Sequence, residues 1–342
     1  MRLLGLLVGL VVCVCCASAA DVVVGVIEDG VVSELKGELL GQGVDGVWVK
    51  VDGETEKVPW FEVVHVGVDQ GFRAARGYDE MHERSRVGFV RAGVGDWRGA
   101  AESVRTLAPG LLGSESRQAR WVFSVLLKDA GLRGDTSDAC VAMLGLRMSG
   151  ERKGFDPRHS LHPDAPMVRG VAGGGALFEL LRDHEAWGDG ERAMIAMRGA
   201  IDDRPGYGGA MEQARGAGGG IGMELCVRMC TAQLDPDPEE RERARAWLRS
   251  RAASMDSTWI DGWARLALAE SLALEGDEES VSRAMIELSH VVVRFGGELP
   301  IARVGIAMAR RIAIEHDRGA ALEALDRTYH GAMESGARPR TD

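Results

Sequence analysis

Gly276-Asp277-Glu278-Glu279-Ser280-Val281 reads as the corner between two helices. A glycine can end a helix in the left-handed conformation, where it has no Cβ to clash. The aspartate then N-caps the next helix by accepting from its free backbone N–H groups. Four residues on, a small apolar side chain lets the second helix pack close to the first. The signature recurs as Gly95-Asp96 with Ala100, Gly134-Asp135 with Ala139, Gly188-Asp189 with Ala193, and His316-Asp317 with Ala321. Asp237, followed by Pro238 and by Glu239-Glu240 in the first turn, starts another helix of this kind. The intervals between the six aspartates are 39, 54, 48, 40 and 40 residues. That spacing predicts helix pairs repeating near forty residues, stretched twice in the middle.

The unit around Asp277 supplies Leu268, Ala269 and Leu272 before the turn, and Val281, Met285 and Leu288 after it. The unit around Asp317 supplies Met308, Ala309 and Ile312, then Ala321 and Leu325, with Thr328 departing at the last position. The first unit has Val87-Gly88, then Ala100, Val104 and Leu107. This large–small–large pattern resembles degenerate tetratricopeptide-type repeats. The tyrosine of that family's first helix is absent, and its closing proline occurs only at Pro205. The resemblance implies an α-solenoid of about six helix pairs, whose concave surface would bind a protein or peptide partner.

The chain before the array has strand grammar. Val22 to Ile27 is β-branched and Glu28-Asp29-Gly30 punctuates it. A second run spans Val31 to Leu40, and Val44 to Val51 alternates, with Val47, Val49 and Val51 on one face. Asp52-Gly53 is a hairpin signal, because a type I′ turn needs positive φ at both central positions. Glu54 to Val58 returns, and Phe61 to Val66 makes a last strand. Five short strands suggest a small barrel. The stretches Leu35 to Leu40, Gly46 to Glu54 and Val58-Pro59-Trp60 resemble SH3-like or Sm-like barrels in fold alone. Ten acids against three lysines make residues 21–66 strongly acidic, which disfavours an RNA-binding role.

With 342 residues, 45% of them hydrophobic, the chain can bury a substantial core. Lys+Arg 41 against Asp+Glu 52 gives a net charge of −11, which argues against a partner that is a nucleic acid. Arg2, the uncharged apolar run Leu3 to Ala17 and Ala17-Ser18-Ala19 read as a cleavable export signal. The run is short of a bilayer span, so no membrane span is expected after its removal. Cys140, Cys226 and Cys230 then remain, an odd number that argues against a disulfide framework. Met223, Cys226, Val227 and Cys230 fall on one stripe of a helix, which places the thiols in the core.

Few motifs point to chemistry. Three prolines in Phe155 to Pro166 predict an irregular projecting loop at 150–175, a segment long enough to carry function. It holds His159 and His162, the weak metal candidates, but no further ligands at a recognised spacing. His184-Glu185-Ala186-Trp187-Gly188 begins like a zincin motif and lacks the second histidine, having Gly188 instead. Gly216 to Gly222 has Ile221 where a dinucleotide loop needs glycine, so it reads as a break between helices. Asp235 to Glu240 lacks the glycine and register of a calcium loop. No nucleophile elbow occurs.

The expectation is a mostly α chain. Residues 1–20 are a signal, 21–66 a small acidic barrel-like unit and 67–77 a linker. Residues 78–336 form the helical array and 337–342 a disordered tail. It is an exported scaffold of the periplasm, cell envelope or extracellular space, without catalytic residues, cofactor or metal. The alternative is a metal-dependent hydrolase or small-ligand binder built on the central loop and glycine-rich middle.

Overall fold

In a computed structural model, residues 21–28, 31–68, 78–150, 168, 175–202, 206–217, 221–254, 259–295 and 300–335 are described. The expected signal and tail, most of the linker, Pro205, His159 and His162 lie outside them. The chain divides into two units, Met1–His82 and Glu83–Asp342. It is mostly helical, with a small antiparallel sheet at the N-terminus.

The sheet comprises β1 (Asp21–Glu28), β2 (Val31–Gly43), β3 (Gly46–Val51), β4 (Glu54–Val58) and β5 (Val63–Val68). Its order is β4-β3-β2-β1-β5, with every pair antiparallel. The β3–β4 hairpin turns on Asp52 and Gly53, at φ 50° and 92°, the positive values that a primed turn requires. Val24, Val26, Val47, Val49, Val58, Trp60 and Val63 form the sheet's core, with Val51 packed against it. The Trp60 indole N–H donates to the Gly43 carbonyl at 2.8 Å, which satisfies the one polar atom of a buried aromatic. Met81 packs on the same core, and the His82 ring lies 5.8 Å from that of Trp60. The first unit therefore extends to His82, beyond the expected linker.

The second unit is built from helices, the first of which begins within the first unit. In chain order they are α1 (Tyr78–Gly93), α2 (Trp97–Val104), α3 (Ala108–Leu111), α4 (Arg117–Arg133) and α5 (Thr136–Met148). Then come α6 (Ala176–Leu181), α7 (Asp189–Asp202), α8 (Tyr207–Ala217), α9 (Ile221–Leu234) and α10 (Pro238–Ser254). The last four are α11 (Trp259–Ala273), α12 (Glu278–Phe295), α13 (Pro300–Glu315) and α14 (Gly319–Ser335). Helices α4 and α5, α9 and α10, α11 and α12, and α13 and α14 pack against each other.

The aspartate signature divides into two kinds. Asp96, Asp135 and Asp277 each accept from the backbone N–H three residues on, at 2.9, 3.0 and 2.9 Å. Each is preceded by a glycine at φ 82°, 67° or 78°. Asp237 accepts from the Glu239 N–H at 2.9 Å. Asp189 and Asp317 depart. Asp189 is already the first residue of α7, whose opening backbone bond runs from the Arg192 N–H to the Gly188 carbonyl. Asp317 has φ 51° and does glycine's work itself, so α14 begins two residues later. Ala100, Ala139, Ala193 and Val281 are buried as the packing argument requires, but Ala321 is only half-buried.

The stretched middle is where pairing changes. Helix α6 has only six residues and packs on α5, while α7 pairs with α8, a helix the forty-residue interval does not contain. Val168, the described residue inside the expected projecting loop, is fully buried. Its carbonyl accepts from the Thr136 hydroxyl at 3.0 Å and from the buried Arg198 guanidinium. At this point the loop is anchored inward. Contacts also reach past nearest neighbours, since α13 packs on α4. A one-dimensional stack of repeats has only adjacent contacts.

Candidate functional site

Helix α6 is held by the start of α5. Both Leu177 and Phe178 backbone N–H groups donate to Asp138 Oδ1, at 2.8 and 3.0 Å, and the Gly175 N–H reaches Asp135 Oδ2 at 3.3 Å. The first-turn N–H groups of a helix need acceptors, and here another helix provides them. Arg133 holds the carboxylates in place, bonding to Asp129, Asp135 and Asp138 at 3.0, 2.7 and 3.1 Å. Burial pushes the Asp129 carboxyl above its ordinary range against the pull of Arg133.

The chain leaving α6 folds over the start of α7. Trp187 is buried and its indole N–H donates to the Leu181 carbonyl at 2.6 Å. Arg192, one turn into α7, donates from Nε to the Trp187 carbonyl at 2.8 Å and from Nη2 to the Glu185 carbonyl at 3.2 Å. His184 Nδ1 accepts from the Ala186 N–H at 3.2 Å, which leaves the ring proton on Nε2 in the neutral form. These bonds build turns, so His184 and Glu185 stand in a loop and the zincin-like stretch is not a helix.

Between these elements lies a cleft of about 510 Å³, lined by Phe178, Arg182, Asp183, His184, Glu185, Arg192, Ile195, Ala196 and Gly199. Arg192, Ile195, Ala196 and Gly199 fall one turn apart along one face of α7. Arg182 is occupied by Glu179 at 3.1 Å and Asp183 at 3.2 Å. Among the described residues, the Glu185 carboxylate and the Arg192 guanidinium have no ion-pair partner. The cleft therefore combines apolar walls with one unspent charge of each sign.

The other motifs have structural roles. Cys140, Cys226 and Cys230 are buried free thiols, and burial pushes Cys230 up to about 12. Asp235 accepts from the Tyr207 hydroxyl at 2.6 Å and from the Asp237 N–H at 2.9 Å, which tightens the turn before α10. Burial and then Asp235 raise the Tyr207 hydroxyl above its ordinary pKa. Trp263 is wholly buried. Gly216 lies in the last turn of α8, Ile221 and Gly222 lie in the first turn of α9, and residues 218–220 of the glycine-rich run lie outside the described residues. No group of three or more His, Cys, Asp or Glu able to hold a metal occurs among the described residues. No helix among them is long and apolar enough to cross a membrane.

Sequence reasoning weighed His184 and Glu185 only as a failed zinc motif and passed over Arg192, Ile195 and Gly199. Their i, i+3, i+7 spacing on α7 was the available signal. The chain matches no protein-family model, no curated protein and no solved structure.

Proposed function

We propose that this chain is an exported, non-catalytic helical-repeat scaffold that binds a protein or peptide partner through its second unit. The observation that carries the reading is the glycine–aspartate corner, repeated with its capping bond at Asp96, Asp135 and Asp277. Repeated helix pairs build extended surfaces suited to partner binding. In this reading the pairs are degenerate tetratricopeptide-type repeats arranged as a solenoid. The sheet in this reading is a small SH3-like barrel carrying the acidic module, which its five-stranded antiparallel order β4-β3-β2-β1-β5 supports. Removal of residues 1–20 delivers the protein to the periplasm or envelope. The failure of the zincin, dinucleotide and calcium motifs at named positions supports a non-catalytic role.

The test is cross-linking mass spectrometry on the full chain in its native envelope. Cross-links from one partner to residues 83–335 support the scaffold reading, and cross-links confined to 21–68 overturn it. Intact mass of the exported protein should place the N-terminus at Ala20 or Asp21.

A further inference from the structure

The α6–α7 cleft goes beyond the scaffold reading, and its ligand chemistry follows from what its lining leaves unspent. Phe178, Ile195, Ala196 and Gly199 give apolar walls. Gly199 adds no side chain to that face of α7, where a Cβ would make only ordinary contact with Phe178 Cζ at 3.7 Å. Around these walls stand a cation and an anion that do not neutralise each other. The Arg192 guanidinium is fixed by two main-chain carbonyls, and neither of those bonds uses Nη1. The Glu185 carboxylate has no hydrogen bond or ion pair among the described residues, although its own carbonyl accepts from Arg192. His184 adds a ring N–H, because its Nδ1 already accepts from Ala186.

A simple anion would be drawn to Arg192 and repelled by Glu185, and a simple amine would suffer the reverse. An apolar molecule would use neither charge, both of which stand exposed to water. Only a ligand carrying both charges on an apolar body matches all three features. The volume, about 510 Å³, lies within the range of about 300–1,000 Å³ usual for small-molecule sites.

We infer that this cleft binds a small apolar zwitterion, a free α-amino acid or a dipeptide. Its carboxylate lies against Arg192 and His184, its ammonium against Glu185, and its side chain against Phe178 and Ile195. Arg192 ties the ligand to the loop as well, because the group that meets the carboxylate also holds the Trp187 and Glu185 carbonyls.

The experiment is isothermal titration calorimetry of the full chain with L-phenylalanine, 3-phenylpropionate, 2-phenylethylamine and the dipeptide Ala-Phe. The two analogues each delete one charge from L-phenylalanine and keep the ring. L-Phenylalanine or Ala-Phe should bind saturably, and at least tenfold more tightly than either analogue. Whichever of the two binds more tightly identifies the source of the zwitterion. Glu185→Gln, at an exposed position, should erase the preference over 3-phenylpropionate, because it removes the ammonium's partner and relieves the repulsion of 3-phenylpropionate, whose affinity should hold or rise. Ala196→Phe should abolish binding by filling the cleft. Equal affinity for L-phenylalanine and 3-phenylpropionate, no saturable binding of either zwitterion, or binding untouched by both substitutions in folded protein would overturn the assignment. The scaffold reading is tested by protein cross-links and survives any of these outcomes.

Discussion

A Cβ built on Gly134 would lie 3.5 Å from the Cβ of Ala307. Gly134 ends α4 at φ 67° and Ala307 sits deep in α13, so the early and late helices of the second unit meet backbone to small side chain. The contact binds elements far apart in sequence, which a nearest-neighbour stack does not do. Ala307→Leu should therefore destabilise by about 1–3 kcal/mol, the usual cost of overpacking. Gly134→Ala has ordinary contact distance, so its cost should be backbone strain alone, about 1–2 kcal/mol. Urea denaturation measures both. If Ala307→Leu is silent, α13 does not close on α4.

The two kinds of aspartate should separate by mutation. Asp135→Ala removes the cap of α5 and an acceptor for Arg133 and Gly175. It should cost at least about 1 kcal/mol. Asp189→Ala removes an exposed side chain that does not cap α7, and should stay within about 0.5 kcal/mol. Asp317→Gly should stabilise by up to about 1 kcal/mol, because the left-handed backbone at φ 51° disfavours a side chain. Equal losses from Asp135→Ala and Asp189→Ala would show that the signature has a single structural role after all.

Much of this was legible in the sequence because it is local. A cap, a left-handed glycine and the Asp52-Gly53 hairpin each depend on a few adjacent residues. Met223, Cys226, Val227 and Cys230 show helical period directly in the sequence, and Cys226 and Cys230 are fully buried. What sequence could not reveal is pairing at a distance. Nothing in Gly134 or Ala307 announces the other, and nothing in Val168 announces that Arg198 and Thr136 will hold its carbonyl. The cleft was hidden for the same reason. Phe178 comes from a six-residue helix whose position depends on Asp138, and Arg192 is informative only once it has been seen to bond main-chain carbonyls and no carboxylate.

Asp129 gives a pH prediction. Burial, the largest cause, holds its carboxyl above the ordinary carboxylate range in the folded chain. The folded state thus holds the proton more tightly than the unfolded state. Stability from this group falls as pH rises from about 3.8 through the folded pKa, and is level above it. Asp129→Asn removes that fall, so the variant should gain on wild type as pH increases from 3.5 to 7. Parallel denaturation curves at each pH provide the check. A difference that shrinks as pH rises would mean that Arg133 outweighs burial and holds Asp129 ionised.

The thiols should be silent in the native protein. Cys140, Cys226 and Cys230 are all buried, and Cys230 is shifted to about 12, far from forming the reactive thiolate near neutral pH. Iodoacetamide at pH 8 should label none of the three before unfolding and all three after it, as read by mass spectrometry. Rapid native labelling at Cys226 or Cys230 would show that the α9 stripe is not in the core.

A close approach of α1 to α2 offers a further structural test. Gly88 on α1 is buried, and a Cβ there would lie 2.6 Å from Val104 Cγ1 and 3.2 Å from Trp121 Cη2, with the Ala100 carbonyl oxygen at 3.4 Å. Gly88→Ala improves helix propensity by about 1 kcal/mol, but overpacking of about 1–3 kcal/mol should prevail. Val104→Ala empties a fully buried site and should cost about 2 kcal/mol through lost burial and residual cavity. In the double variant the new methyl occupies the volume that Cγ1 vacates, so each change relieves the other. The two losses should therefore fall short of additivity by about 1 kcal/mol, within the range seen for residues in contact. Trp121 and the Ala100 carbonyl remain close in both backgrounds, which is why the rescue should be partial. Strictly additive losses would mean that α1 and α2 do not cross at Gly88, and the small residue four positions beyond Asp96 would then need a different explanation.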